Sequence, residues 1–346
     1  MKLKPIQDQV AVVVGASSGI GRETALRLAE RGAKVVVAAR GEPGLSSLVG
    51  EIAARGGEAA YTVCDVVDFE QVKGVAETAV QRFGRIDTWV NVAAVSVYAR
   101  FEDTAPEEFR RVMEVNYLGQ VHGALAALPH LRWAGGGALI AISSVESIVS
   151  LPLHSSYSAS KHAVEGVFDA LRRELMAEGA PISVTSVKPG TINTPFFDNA
   201  ANKMDVKPKG PPPYYQPDVV ADYVLYAAEH PVRDLFAGGA GKMMAASQML
   251  APKLVDAAMA RMGIPAGRTD EPEPQAGHAP GNMYAPRTDD TRVEGKFSPR
   301  ARRFSLYTWM ETHPPAKALA AGGALAGAAL LLARGGGNGH ARRRRH

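Results

Sequence analysis

Short apolar runs alternate with longer amphipathic segments along about the first 240 residues of the chain. Most of these runs are continuously apolar, which is typical of parallel strands that helices cover on both faces. The predicted strands are 10–14, 34–39, 59–63, 88–91, 138–142 and 182–187, and the predicted helices include 20–31, 69–83, 106–131 and 155–178. Strands and helices that alternate at this spacing predict an α/β fold with a doubly wound parallel sheet.

The composition changes after about residue 250. Residues 263–315 are rich in proline, glycine and charge, which predicts an extended or disordered arm, although residues 304–310 are apolar enough to dock back on the body. Residues 318–333 contain only Ala, Gly and Leu, and an arginine cluster follows at 342–345. A helix of that length spans about 24 Å, short of the roughly 30 Å hydrocarbon core. We therefore expect a membrane anchor or membrane-surface helix, with a frayed or docked tail as the alternative.

The charge distribution separates the tail from the body. The chain has 346 residues and a net charge of +4, of which residues 291–346 carry +9 and residues 1–290 carry −5. A mildly acidic body argues against nucleic-acid binding. The single cysteine, Cys64, excludes a disulfide scaffold, a zinc ribbon and an iron–sulfur site, and no histidine spacing predicts a metal site. Because the N-terminus shows no apolar signal region, we predict a cytoplasmic protein.

A glycine-rich turn joins the first predicted strand to the first predicted helix. Gly15, Gly19 and Gly21 permit a tight turn and let the backbone approach a pyrophosphate, which the N–H groups and dipole of the following helix favour. The Gly-x3-Gly-x-Gly spacing differs from the usual Gly-x-Gly-x-x-Gly dinucleotide motif. We interpret the turn as a dinucleotide site, and the alternative is a glycine-rich connection without a ligand.

The end of the second predicted strand bears on the choice of cofactor. An acidic residue there would bind the ribose hydroxyls of NAD, but Ala39 offers no carboxylate. The next residue, Arg40, could pair with the 2′-phosphate of NADP, unless it is a solvated surface arginine. We therefore predict a preference for NADP(H), with NAD(H) as the other possibility.

A serine, a tyrosine and a lysine form the candidate catalytic group. Ser144 follows the fifth predicted strand, at the carboxyl edge of the sheet where doubly wound folds bind their ligands. Tyr157 and Lys161 are four residues apart on the next helix and so share one helical face. A nearby ammonium lowers the pKa of a phenol, so we expect Tyr157 to donate or accept a proton near neutral pH.

With these residues, the chain resembles the classical short-chain dehydrogenase/reductase family. The matching motifs occur in the family's order over roughly residues 8–240, about two thirds of the chain. They are Gly15-x3-Gly19-Ile20-Gly21, Asp65-Val66, Asn91-Val-Ala-Ala94, Asn116, Ser144, Tyr157-x3-Lys161 and Pro189-Gly190-x3-Thr194. The resemblance implies a single Rossmann-type domain with a C-terminal extension. We divide the chain into a dinucleotide-binding domain at 1–260, a Pro/Gly-rich arm at 261–315 and a possible anchor at 316–346.

The resemblance also implies a role for each matching residue. Tyr157 would be the general acid in carbonyl reduction and the base in alcohol oxidation. Lys161 would bind the nicotinamide ribose and lower the pKa of Tyr157, Ser144 would hydrogen-bond the substrate oxygen, and Asn116 would hold a water that links Lys161 to solvent. The implied cofactor contacts are Gly15, Ser17, Ser18, Gly19, Ile20, Gly21, Arg40, Asp65, Val66, Asn91, Tyr157, Lys161, Pro189, Gly190, Ile192 and Thr194.

Three departures from the family pattern lie on the cofactor side of the predicted site. Val14 replaces the usual threonine, Asn91-Val-Ala-Ala94 replaces Asn-Asn-Ala-Gly, and Ser18 replaces a basic residue that is frequent in NADP-preferring members. No catalytic group is missing, so we predict an active oxidoreductase. The alternative is a catalytically weak dinucleotide-binding module whose tail mediates attachment to a membrane or a partner.

Substrate and assembly are less constrained by the sequence. Apolar residues in loops 145–154 and 195–217 favour an apolar carbonyl or alcohol as substrate, although they could simply pack on each other. His154 lies between Ser144 and Tyr157 and could face the substrate, but we interpret it as a solvated or structural residue; Arg22 is either a phosphate contact or a solvated side chain. The resemblance further implies a homodimer or homotetramer. The chain would stay on the cytoplasmic side of any membrane that it contacts through residues 318–333.

Overall fold

The computed structural model describes residues 1–274, 281–288, 290–315 and 317 of the chain. The main strands of this part are β1 Val10–Val14, β2 Lys34–Ala39, β3 Ala59–Val63, β4 Thr88–Asn91, β5 Gly137–Ile142, β6 Ile182–Pro189 and β7 Asp234–Ala237. They form one parallel sheet in the order β3-β2-β1-β4-β5-β6-β7. The strand order reverses between β1 and β4, and ligands of such sheets bind outside the carboxyl ends at this switch point. The predicted doubly wound α/β fold is confirmed.

Helices cover the sheet on both faces. Their bounds in the described residues are α1 Gly19–Glu30, α2 Glu42–Ala54, α3 Phe69–Phe83, α4 Pro106–Met113, α5 Gly119–Trp133, α6 Ser155–Ala177, α7 Phe196–Asn199, α8 Asp218–Glu229, α9 Gly239–Leu250, α10 Pro252–Ala266 and α11 Leu306–Thr312. Helices α1, α2 and α8 pack on one face, and α3, α5 and α6 pack on the other.

The continuous apolar sequence of the strands follows from this arrangement. Successive side chains of a strand point to opposite faces of the sheet. In β1, Ala11 and Val13 pack in the core with α1, α2 and α8, whereas Val10, Val12 and Val14 pack in the core with α3, α5 and α6. Both faces are buried, so a polar residue has no solvent-facing position in this strand.

Most element bounds agree with the sequence analysis to within two residues, and there are two larger differences. Strands β1 to β4 begin and end at the predicted residues. Strand β7 was not predicted, because four residues beginning with an aspartate make a weak strand pattern. The single helix predicted at 106–131 is divided by a π-helical turn at Glu114–Leu118. This turn carries Asn116, whose buried side chain hydrogen-bonds to Val95 and Ser160.

The described part of the arm packs on the body, as expected for the apolar residues 304–310, and the described residues before them also pair with the body rather than forming a disordered segment. Arg268–Pro272 pairs antiparallel with Val206–Pro208. Further along, the backbone N–H of Arg302 donates to Tyr214 O at 2.9 Å. Helix α11 packs against α8, α9 and β7, with Thr308 buried. Backbone N–H and C=O groups of the arm therefore form hydrogen bonds with the body in place of water. These bonds allow a segment with few apolar residues to pack there.

Two expectations about the C-terminal half remain open. Helix α10 runs through residue 260, where we divided the domain from the arm, so no break in the secondary structure marks this boundary. The division stays a prediction. Within the described ranges, no helix is both long and apolar enough to cross a membrane. The predicted anchor at 318–333 lies outside the described residues.

Two helical glycines should respond in opposite ways to alanine. At Gly123 in α5, an added Cβ would lie 2.1 Å from Asn91 Oδ1, which already accepts the indole N–H of Trp89. We expect Gly123→Ala to lower the free energy of unfolding by about 1–3 kcal/mol through overpacking. At Gly166 in α6 nothing lies within 4 Å of the added Cβ, so Gly166→Ala should raise stability by about 0.5–1 kcal/mol.

Urea unfolding of the two variants measures both effects under the same conditions. Equal changes, or stabilisation by Gly123→Ala, would contradict the packing of Asn91 against α5.

Candidate active site and dinucleotide cavity

One continuous cavity of about 530 Å³ lies at the carboxyl edge of the sheet. It extends from the glycine turn after β1 to the start of α6 and is thus lined by both predicted parts of the site. The predicted residues that line it are Gly15, Ser17, Ser18, Gly19, Ile20, Gly21, Arg40, Val66, Ser144, Tyr157, Lys161, Pro189, Gly190, Ile192 and Thr194. Its volume is typical of pockets that bind small molecules and cofactors.

The glycine turn is closely packed, which explains its residue type. Gly15 has φ +95°, and an added Cβ there would lie 2.5 Å from Ala93 N. At Gly21 an added Cβ would lie 2.1 Å from the carbonyl oxygen of Gly15. Gly19 has φ +55° and begins α1, directly after the N-cap residue Ser18. Side chains are thus excluded from the turn, so a phosphate-bearing ligand could approach its backbone.

The predicted catalytic residues converge at the other end of the cavity. Ser144 caps a short 3-10 turn after β5, and its Oγ accepts the backbone N–H of Glu146 at 3.0 Å. A side-chain hydrogen bond links Ser144 to Tyr157. Lys161 lies one turn further along α6, with its Nζ 5.4 Å from the centre of the Tyr157 ring. The arrangement brings a hydroxyl, a phenol and an ammonium together beside one cavity wall.

Burial controls the electrostatics of this group. It raises the pKa of Tyr157 well above the usual value of a phenol; Glu146 adds to the rise and the hydrogen bond with Ser144 opposes it. This direction is opposite to the lowering that the Tyr–Lys spacing led us to expect. Burial also lowers the pKa of Lys161 to about 8, although Glu165 and Glu146 act to raise it. Desolvation of the charged form is thus the largest influence on the pKa of Tyr157 and on the pKa of Lys161.

Three predicted site residues lie outside the cavity lining. Both amide protons of Asn116 are donated to protein atoms, Val95 O and Ser160 Oγ, so the amide can offer a water only its oxygen. Asn91 is buried between β4 and α5, where it bonds Trp89 and Gln120. Asp65 forms an ion pair with Arg111 at 3.1 Å. The structure therefore gives Asn116 and Asn91 bracing contacts within the fold.

Two residues differ from their predicted environments. Arg22 is buried and pairs with Glu51 at 2.7 Å, so it joins α1 to α2 and is neither a phosphate contact nor solvated. His154 is also buried and lines the cavity next to Tyr157, which contradicts the solvated interpretation and agrees with the structural one. Its place in the sequence between Ser144 and Tyr157 had already made a position facing the substrate the alternative.

The arm supplies a wall of the cavity that the sequence analysis missed. The guanidinium of Arg40 donates to the carbonyl oxygens of Asn282 and Met283, so Arg40 is not a solvated surface residue. The backbone N–H of Gly19 donates to Arg292 O at 2.9 Å. Among the described arm residues from 281 onward, those that line the cavity are Asn282, Pro286, Arg287 and Asp290. Most of these links use backbone carbonyls, which leave no pattern in a sequence.

The protein groups fit a dinucleotide that would extend along the cavity. The glycine turn leaves no room for a side chain, and Arg40 lies beside it with cationic charge. At the other end, the buried Oγ of Ser143 has no hydrogen-bond partner among the described residues and lines the cavity. A buried hydroxyl without a partner is costly, so a ligand atom at this position would satisfy it.

Comparison with known proteins agrees with this geometry. A family model described as short chain dehydrogenase matches residues 9–205. An uncharacterized oxidoreductase of Bacillus subtilis (strain 168), YxnA, is 42% identical over 267 residues, which cover 76% of this chain and 74% of that protein. The dehydrogenase/reductase SDR family member 7B of Bos taurus is 37% identical over 201 residues, which cover 56% of this chain and 61% of that protein.

Solved structures with the same fold include complexes with either dinucleotide. An alcohol dehydrogenase from the archaeon Thermococcus sibiricus, complexed with 5-hydroxy-NADP, is 29% identical with a TM-score of 0.57 over 66% of this chain and 95% of that chain. A short chain dehydrogenase from Mycobacterium paratuberculosis, bound to NAD, is 28% identical with a TM-score of 0.60 over 67% of this chain and 97% of that chain. These neighbours support a dinucleotide site and leave the choice of dinucleotide open.

Removal of the arm should open the cavity. In a chain that ends at residue 280, Arg40 and the N–H of Gly19 lose their partners Asn282, Met283 and Arg292. We expect NADPH to dissociate about tenfold faster, which corresponds to ~1.4 kcal/mol of lost contacts. Stopped-flow fluorescence of the bound nicotinamide measures this rate.

A chain that ends at residue 317 is the matched control, because it lacks the tail but keeps the arm. Its dissociation rate should equal that of the full chain. If removal of the arm leaves the rate unchanged, the arm is not a functional wall of the cavity.

Proposed function

Because the chain belongs to the short-chain dehydrogenase family of oxidoreductases, we propose that it interconverts an apolar carbonyl compound and its alcohol with NADP(H) as the preferred cofactor. The observation that carries the proposal is the convergence of Ser144, Tyr157 and Lys161 at one end of a cavity whose other end is the glycine turn. Residues of these types can orient a carbonyl oxygen and transfer a proton to it.

Each of the three residues has a distinct task in this proposal. A bound nicotinamide supplies the hydride for reduction and accepts it in oxidation. Tyr157 gives its proton to the carbonyl oxygen in reduction and takes the hydroxyl proton in oxidation. Ser144 Oγ already accepts the N–H of Glu146, so its own proton is available to the substrate oxygen or to Tyr157. The raised pKa of Tyr157 keeps the phenol protonated, which suits it to the reductive direction.

Lys161 stabilises the charge that Tyr157 develops when it gives up its proton. Its Nζ donates to the carbonyl oxygen of Ile142 at 2.8 Å, which orients the ammonium beneath the phenol ring. Only one protein hydrogen bond of this ammonium is recorded among the described residues, so it has protons left for ribose hydroxyls. This supports the role as ribose ligand that the family resemblance implies.

Arg40 supports the preference for NADP(H). It directly follows β2, lines the cavity and is the neighbour of Ala39, which stands where an NAD-selecting carboxylate would be. Asp65, which comes shortly after the next strand, β3, is paired with Arg111 and does not line the cavity. The arm carbonyls that hold Arg40 fix the position of a planar guanidinium, and such a group suits bidentate binding of a phosphate.

The lining beyond Tyr157 supports an apolar substrate. Side chains from the loop after β5, from α7 and from α9–α10 enclose this end of the cavity. They are Leu151, Phe196, Phe197, Met244, Met259 and Met262. The flexible thioether side chains of methionine adapt to substrates of different shapes, so we expect activity with more than one apolar aldehyde or ketone.

Loss of the Tyr157 hydroxyl should separate catalysis from cofactor binding. We expect Tyr157→Phe to lower kcat by about 10²–10⁴-fold, because general acid catalysis is lost. The affinity for NADPH should remain nearly unchanged. The assay follows NADPH oxidation with decanal and benzaldehyde, and Tyr223→Phe is the control because this tyrosine is buried in α8 and does not line the cavity. Full activity of Tyr157→Phe would contradict the assignment of Tyr157 as the proton donor.

Arg40→Gln tests the cofactor preference. If the guanidinium binds the 2′-phosphate, a charged hydrogen bond worth about 1.5–3 kcal/mol is lost, so the Kd of NADPH should rise by about one to two orders of magnitude. The Kd of NADH should change little, and fluorescence titration of the full chain measures both. Equal weakening of both cofactors would mean that Arg40 acts only as an anchor for the arm.

A further inference from the structure

We infer that Glu146 and His154 form a positioning pair that holds the Tyr157 ring and the Ser144 hydroxyl in their reactive geometry. The inference rests on the proposed function, because it concerns the proton transfer assigned there to Tyr157. It adds the buried His154 and the partly buried Glu146 to the site, and neither is among the predicted catalytic or cofactor-binding residues. The evidence lies in the contacts of the two side chains.

Both nitrogens of His154 are bound by protein groups. Nδ1 lies 2.9 and 3.0 Å from the two carboxylate oxygens of Glu146. Nε2 forms a short hydrogen bond with Ser96 Oγ. The side chain is almost completely buried. His154 therefore has no free nitrogen with which to bind a substrate or exchange a proton with it.

Both faces of the same ring are also covered. Tyr98 stacks on one side at 4.2 Å between ring centres and 17° between planes. Tyr157 stacks at 4.4 Å and 12°. Phe196 lies edge-on to Tyr157 at 5.5 Å. The phenol of Tyr157 is thus held between an anchored imidazole and an aromatic edge, so the rotation of its ring is restricted.

Glu146 connects this stack to the serine. Its backbone N–H donates to Ser144 Oγ at 3.0 Å, which orients the serine proton away from Glu146. Its carboxylate binds His154 and also accepts the Ser158 hydroxyl at 2.7 Å. One residue therefore fixes Ser144 through its backbone and Tyr157 through the histidine.

The backbone beside His154 is strained, as expected if its position is enforced. Leu153 has φ +67°, in the left-handed region that a bulky side chain rarely adopts. Its carbonyl accepts the N–H of Ala99 at 3.0 Å, which fastens the loop to the segment that carries Tyr98. Strain of this kind persists only where surrounding contacts enforce it, and it is concentrated at functional sites.

The geometry assigns His154 and Glu146 a positioning role, since neither has a free group directed at the reacting atoms. Their effect would be on the placement of the Tyr157 hydroxyl. A misplacement of about 1 Å in a catalytic group can cost ~10²-fold in rate. Loss of the pair should therefore reduce kcat far more than it changes cofactor affinity.

The test compares His154→Leu, Glu146→Leu and Glu146→Gln in the full chain with NADPH and decanal. We expect the two leucine variants to lower kcat by about 10²-fold, because the stack or its anchor is lost. Glu146→Gln should retain most of the activity, since the amide oxygen still accepts the Nδ1 proton of His154. The leucine variants should also show a larger solvent deuterium isotope effect on kcat, because proton transfer becomes slower. The Kd of NADPH should stay within about twofold, a change of only ~0.4 kcal/mol.

Two controls separate positioning from a general loss of structure. Asp87→Asn removes a buried carboxylate at the opposite end of β4, where it accepts the N–H of Val10, and should change stability without changing the isotope effect. His154→Phe keeps a ring in the stack but loses both anchoring hydrogen bonds, so it provides a folded variant if His154→Leu is unstable. It should show a smaller loss of kcat in the same direction.

The outcomes distinguish the inference from the proposed function. If Tyr157→Phe is inactive but the leucine variants and His154→Phe keep the wild-type kcat and isotope effect, the positioning pair is wrong and the proposed function stands. If Tyr157→Phe itself is fully active, the proton transfer assigned to Tyr157 fails, and the positioning pair fails with it. If the wild-type chain reduces neither decanal nor benzaldehyde, crystal structures of wild type and His154→Phe decide the inference. Displacement of the Tyr157 hydroxyl from Ser144 supports it, and an unmoved hydroxyl overturns it.

Discussion

A buried lysine ammonium is the constraint on which the site depends. Lys161 is 1% exposed, and its recorded hydrogen-bond partner in the described structure is the carbonyl oxygen of Ile142 at 2.8 Å. Burial of a charge without enough partners is unfavourable, and the pKa of Lys161 is accordingly lowered to about 8. Strand β5 must therefore end at Ile142 with its carbonyl turned toward α6, and α6 must present Lys161 and Tyr157 to that end.

The surrounding elements can be understood as support for this arrangement. The π-helical turn at Glu114–Leu118 places Asn116 against Ser160, the neighbour of Lys161 on α6. Ser144 and Glu146 follow directly from the end of β5 and meet Tyr157 from the other side. Extra residues in the π turn cost helical regularity, and such turns are frequent at functional sites. The site is thus built on regular strands and helices, with a local distortion of the helix at the π turn beside it.

Much of the fold could be predicted from the sequence because its signals are local. A continuous apolar run such as Val10–Val14 has few alternatives to a buried parallel strand, and the glycine turn that follows it is recognisable by residue type alone. Strand β7 was missed because it is short and partly polar. The π turn was missed because the apolar pattern of 106–131 fits one continuous helix and does not reveal the single turn that contains an extra residue.

The site was predicted less completely, since several of its contacts are long-range. Arg40 was identified, but its partners Asn282 and Met283 are more than 240 residues away and bind it through backbone carbonyls. The burial and the partners of His154 could not be predicted, because they depend on Tyr98, Glu146 and Tyr157 coming together in the fold. The direction of the Tyr157 pKa shift was also missed, since residue spacing indicates the nearby charge but not the extent of desolvation.

The central claim is that one cavity, covered by the arm, holds the dinucleotide from the glycine turn to Tyr157. A crystal structure of the full chain with NADPH tests it most directly. We predict the 2′-phosphate at Arg40, the pyrophosphate at the backbone of the glycine turn and the nicotinamide beside Tyr157 and Lys161, with residues 281–288 still packed over the adenosine. A dinucleotide bound outside this cavity, or one oriented with its nicotinamide away from Tyr157, would contradict the account.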